Sequence, residues 1–122
     1  MDFKDLKPGL SAEINVEVDD ALVVKHTGGD GVFSTSSMIG LMERAGIQAV
    51  QPVLDEEHTT VGFEVHVKHF GATAKGKMVR VRAELTGIDG RKLSFDVQAH
   101  DEDKQVGAGT HRRAIIKIGG HG

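Results

Sequence analysis

Residues Ala12, Ile14, Val16 and Val18 alternate with Glu13, Asn15, Glu17 and Asp19, a period of two that predicts a strand with one face buried. The next stretch, ALVVKHTGGDGVF, holds a short β-branched run and then a Gly-Gly-Asp-Gly cluster. That composition predicts a mobile loop ending at Phe33 rather than an element. From Thr35 the period changes: Met38, Leu41, Met42, Ala45 and Ala49 recur at three- and four-residue spacing, the apolar face of a helix. Ser34, Thr35 and Ser36 are candidate N-caps, and Pro52 marks the end. Gly40 and Gly46 each lower helix propensity by roughly 1 kcal/mol relative to Ala. This helix is therefore expected to rely on packing, with its backbone close to a sheet.

After the polar DEEHTT turn the period returns to two. Val61, Phe63, Val65, Val67 and His69 are expected to share one strand face, with further strands around Val79 to Leu85, Leu93 to Ala99 and Ala108 to Ile118. GATAKGK, Asp89-Gly90 and DEDKQ supply the turns, the last read as a solvated charge run. Strand, helix and four more strands on short connections, without a βαβ repeat, predict an α+β domain: a mostly antiparallel sheet carrying one long helix. A hotdog domain, one helix wrapped by a curved sheet, has this arrangement, although the pattern equally allows other α+β folds.

The chain has 122 residues, the size of one domain, so residues 1–122 are read as a single unit. A core this small gains from burial against a second copy, which makes a homodimer the default. With no cysteine, disulfides, thiolate metal sites and a cysteine nucleophile are excluded, in keeping with a reducing compartment. MDFKDLKPGL does not resemble a leader, and no apolar run approaches the roughly 20 residues that span a bilayer; a cytoplasmic protein without membrane partners is expected. A net charge of −3 with interspersed signs, and the absence of Trp and Tyr, argue against nucleic acid as a partner.

Glu43 lies mid-helix among Met42, Ala45 and the two glycines, where a carboxylate suits general-base or nucleophilic work; an exposed, ion-paired glutamate is the blander alternative. His69 stands where the strand alternation calls for an apolar side chain, as an acid, base or orienting group or as a satisfied rim histidine. His66 has the opposite parity, which argues against a metal held by His66 and His69. Thr35 at the helix start either caps the helix or faces a substrate, beside free N–H groups able to stabilise an oxyanion. Arg112 and Arg113, with Lys75 and Lys77, are candidates for phosphate contact or are solvated surface charges. The terminal GGHG reads as a frayed tail.

The segments VFSTSSMIGLMERA, VGFEVHVKH, AELTGIDGRKLSFDVQAHD and GAGTHRRAII closely resemble, in order and spacing, the bacterial fluoroacetyl-CoA thioesterase family of the hotdog superfamily. The resemblance runs from about Leu10 to Ile116. It implies hydrolysis of a small or medium acyl-CoA by a homodimer, or a higher oligomer, with active sites at the subunit interface and no metal or organic cofactor. It further implies a catalytic role for Thr35, Glu43 and His69. Gly62 would lie beside the acyl group, and Phe33 and Arg113, with Arg112, near the substrate. Compared with the fluoroacetyl-specific enzyme, the connection between first strand and helix is shorter and keeps only Phe33, so fluoroacetyl selectivity does not carry over. Two other readings remain open at this level. One is a non-catalytic acyl-binding hotdog protein; the other is a hotdog hydratase or dehydratase, whose proline-bearing stretch after the histidine is missing here.

Overall fold

The computed structural model describes residues 3–120, so the first two residues of the amino-terminal stretch and the last two of GGHG lie outside the described residues. Five strands form one antiparallel sheet: β1 (Ser11–Glu17), β4 (His58–His69), β5 (Met78–Asp89), β6 (Lys92–Asp101) and β7 (Gln105–Lys117), in the spatial order β1-β5-β6-β7-β4. The helix α1 (Thr35–Val50) lies across β1 and β5 in the embrace of this curved sheet. Its buried residues, Met38, Leu41, Met42, Ala45, Gly46, Ala49 and Val50, are the predicted apolar stripe. They pack on Val81, Leu85, Phe95 and Val97 in one core. Gly46 earns its place, since a Cβ there would lie 3.3 Å from the Arg113 side chain and 3.6 Å from the His111 ring. Pro52 sits in a single 3-10 turn, Gln51–Val53, directly after the helix.

Two sequence expectations are corrected by the backbone. The ALVVKHTGGDGVF stretch is not a plain loop: after a 3-10 turn, Asp20–Leu22, β2 (Val23–Val24) pairs with β3 (Val32–Phe33) as a small hairpin. Its reversal uses the left-handed conformations of Gly28, Gly29 and Gly31. The second correction concerns β4. Gly62 is opposite Arg113 and Glu64 opposite Arg112, so Phe63 is an extra residue in a β-bulge. Partners across a ladder share a face, and in the second half of β7 the alternate residues His111, Arg113 and Ile115 are buried, while Arg112 and Ala114 between them are less so. Hence Thr60 and Gly62 before the bulge, and Val65, Val67 and His69 after it, look inward. Val61 looks outward, and so does Phe63, over whose ring the Arg112 guanidinium lies at 5.1 Å. The alternation seen in the sequence runs unbroken through a point where the chain changes faces.

DEDKQ is a turn, but its first residue is not solvated. The Asp101 carboxylate is fully buried and accepts hydrogen bonds from the Asp103 and Lys104 N–H groups (2.8 and 2.9 Å), Thr73 Oγ1 (2.9 Å) and Lys104 Nζ (3.0 Å). Desolvation alone would raise its pKa. The four donors outweigh it and hold the group well below the ordinary carboxylate range. A depressed folded-state pKa means that Asp101 stabilises the fold fully above the unfolded value, near pH 4, and progressively less as pH falls below it. Asp101→Asn should lose about 2 kcal/mol of unfolding free energy at pH 7. In urea titrations, the gap between wild type and variant should narrow at pH 3.5; an unchanged gap would contradict the account.

Candidate active site

The amino-terminal end of α1 is capped by Ser34, whose Oγ accepts from the Ser37 N–H at 3.0 Å and donates to Ser37 Oγ at 2.7 Å. That releases Thr35 from capping. Its Oγ1 lies 2.9 Å from Nδ1 of His69, the last residue of β4. The His69 Nε2 is buried and has no hydrogen-bond partner among the described residues, and the ring meets Phe33 edge-on at 5.8 Å. Burial lowers the His69 pKa, so the ring is neutral at neutral pH. If the Thr35 hydroxyl donates to Nδ1, the ring proton sits on Nε2. Thr35, His69 and Phe33 line an open cavity of about 320 Å³, together with His26 and Thr27 from the hairpin and Phe70 after β4.

A second cluster forms around Glu43. It lies eight residues beyond Thr35 on α1, a little over two turns and about 12 Å along the axis, so one protomer does not bring Glu43 to the Thr35–His69 pair. The Glu43 side chain is 42 % exposed, with Oε2 3.9 Å from Arg113 Nη1. Gly62 faces both: a Cβ there would lie 3.1 Å from Glu43 Oε2, 3.1 Å from Arg113 Nη1 and 3.0 Å from His111 Cε1. With no side chain at Gly62, β4 keeps an opening beside the carboxylate. Arg113 is buried, not a surface charge. Its Nε donates to Thr60 Oγ1 (2.7 Å) and Nη2 to the Thr60 carbonyl (2.9 Å). Burial pulls its pKa down, with Glu43 opposing the shift.

The phosphate candidates separate. Arg112 has the opposite strand parity to Arg113 and lies on the outer face against Phe63, away from Glu43. Lys75 is paired with Asp20 at 2.8 Å and Lys77 with Asp103 at 2.6 Å. His66 and His69 do point to opposite faces, and among the described residues no three His, Asp or Glu side chains are grouped to hold a metal ion. Sequence reasoning passed over His111 and Thr60. Both could have been found by asking which residues share the inward parity of Arg113 on β7 and of its partner strand.

A helix lying in a curved antiparallel sheet, with polar groups at its start and middle facing an edge strand, defines a hotdog-fold protein. A hot-dog-like protein from Thermanaerovibrio acidaminovorans has the same fold, with a TM-score of 0.87 at 18 % identity over 98 % of this chain and 90 % of that one. The chain belongs to the family of FlK, the fluoroacetyl-CoA-specific thioesterase, whose family model matches residues 16–118. The fluoroacetyl-CoA thioesterase of Streptantibioticus cattleyicolor is 44 % identical over 87 residues, which cover 71 % of this chain and 63 % of that protein. The chain thus aligns with less than two thirds of that relative's length. A solved structure of the fluoroacetyl-CoA thioesterase FlK has a TM-score of 0.87 at 34 % identity, over 95 % of this chain and 92 % of that one. A Thermus thermophilus member of the thioesterase superfamily gives 0.85 at 25 %, over 95 % and 88 %.

Proposed function

We propose that the protein is a homodimeric acyl-CoA thioesterase, in which Thr35 and His69 of one protomer work with Glu43 of the other. The observation that carries this reading is the separation of the two clusters along α1, each facing β4. That strand is an edge of the sheet, with β7 as its only neighbour among the described residues, and Val61, Phe63 and Val65 are exposed by 43, 46 and 37 %. An exposed apolar edge strand of 12 residues is a template for pairing with another chain. Antiparallel pairing of β4 with its own copy sets the His69 end of one strand beside the Thr60–Gly62 end of the other, where Glu43 stands. The family supports the substrate class, since solved structures of FlK mutants carry fluoroacetate with CoA, or acetyl-CoA.

In this arrangement the thioester carbonyl lies against backbone N–H groups at the start of α1 or at Gly62, which stabilise the developing oxyanion. Glu43 attacks the carbonyl carbon or takes a proton from the attacking water. In the water route the C–S bond breaks, His69 Nε2–H hydrogen-bonds the departing thiolate, and the proton that Glu43 took from water passes to it, leaving free acid and CoA. In the direct route the thiolate leaves an acyl–Glu43 anhydride, which a water then hydrolyses, its released proton going to the thiolate. Thr35 holds the imidazole in the tautomer that makes this donation possible. A small or medium acyl group is the expected substrate, and Phe33 is the phenylalanine that the hairpin contributes to the cavity wall.

The test is thiol release by the purified protein against acetyl-, fluoroacetyl-, aromatic and medium-chain acyl-CoAs. Selective release of one class is the expected result. Tight binding of an acyl-CoA without release would instead make the protein a binding module, and no release from any ester would remove the thioesterase reading.

A further inference from the structure

A buried guanidinium is costly unless its N–H donors are matched, so the partners of Arg113 define its orientation. Thr60 takes Nε and Nη2 from one side, as described. From the other side Nη1 meets His111 Nε2 at 3.1 Å. His111 is itself 1 % exposed, and its Nδ1 lies 2.9 Å from the carbonyl oxygen of Glu64, immediately after the β4 bulge. A carbonyl accepts only, so the proton is on Nδ1, and Nε2 offers a lone pair to Arg113. Burial and the neighbouring guanidinium both push the His111 pKa down, in agreement with this neutral form. The ring stacks on Phe95, which fixes its plane. Nη1, held by this lone pair, is also the guanidinium nitrogen that stands 3.9 Å from Glu43 Oε2.

We infer that His111 is a positioning residue for catalysis: tied to the bulge carbonyl, it sets the rotation of Arg113, which in turn holds the Glu43 carboxylate at the Gly62 opening. The inference rests on the thioesterase reading above. It makes the bulge, His111, Arg113 and Glu43 one chain of contacts, with Thr60 fixing the far side of the guanidinium. Because the effect passes through Arg113, it predicts loss of turnover rather than of substrate binding.

The experiment measures kcat, KM and thermal unfolding for His111→Phe, His111→Gln and Thr60→Val, with His111→Phe repeated in an Arg113→Met background. His111→Phe keeps the ring and removes both nitrogens. It should lower kcat about 30-fold with KM within about threefold, the signature of a lost transition-state interaction. His111→Gln, which can still accept from Arg113, should recover most of the loss. Thr60→Val disturbs the same guanidinium from its other side and should also lower kcat, so a poorly folding His111→Phe would leave the idea testable. In the Arg113→Met background His111→Phe should cost nothing further, because both changes cut one connection. A purely structural His111 would lower the melting temperature, leave kcat per folded enzyme unchanged, and overturn the inference; so would multiplicative losses in the double variant. A wild-type protein that releases no thiol would instead end the thioesterase reading and this inference with it.

Discussion

Glu43→Gln is expected to lower thiol release about 1,000-fold, in the range found for removal of a general base or nucleophile. The amide keeps the size of the side chain and its place beside Gly62, so geometry is largely preserved while the charge and basicity are removed. Stability should change little. Glu43 is half exposed and 3.9 Å from Arg113, and Arg113 keeps its bonds to Thr60 and His111 when the carboxylate is gone. Kinetics with the best acyl-CoA from the panel, beside a thermal melt, check both halves. Turnover within tenfold of wild type, in a protein that melts normally, would take Glu43 out of the chemistry.

Mixing two inactive variants should restore activity. If Glu43 serves the Thr35–His69 pair of the other protomer, a heterodimer of Glu43→Gln with His69→Ala has one site with both lesions and one with neither. Random re-pairing of equal amounts makes half the dimers heterodimers, so about a quarter of wild-type activity should return. If each site were instead built within one protomer, every site in the mixture would carry one lesion and nothing would return. The required exchange of subunits can be checked by mass spectrometry on the same samples. Lysines at Val61 and Val65, whose charge blocks pairing along an edge strand, should abolish both the dimer and the recovery.

The helix was legible because Met38, Leu41, Met42, Ala45 and Ala49 repeat with a period that no strand can satisfy, and all of them are buried. The strands were legible for the same reason, with limits that lie in what periodicity records. It registers which residues alternate along the chain but not whether the chain changes faces, so Val61 and Phe63 were grouped with Val65, Val67 and His69. It reads Asp101 as one charge in a charged run, because four donors converge on that carboxylate only after Thr73 and the β6–β7 turn fold together. Thr35, Glu43 and His69 stand out in the sequence as candidates by position, and the resemblance implies their catalytic roles. Their placement adds what neither pattern nor resemblance contains: Thr35 meets His69 directly, while Glu43 is held two turns away by groups on β7 and β4. Arg113 looked like half of a basic pair in the sequence. Parity sends it inward and Arg112 outward, so adjacent arginines have unrelated surroundings.

The bulge in β4 also settles a question of odd and even numbers. Gly62 and His69 are seven residues apart, and in a regular strand an odd interval puts two residues on opposite sides of the sheet. Because Phe63 has no partner of its own, the ladder passes from Arg113 opposite Gly62 to Gly107 opposite His69, an even interval. Both residues therefore open onto the same side. One unmatched residue thus decides whether the two halves of the site can ever share a cleft, whichever subunit supplies each half.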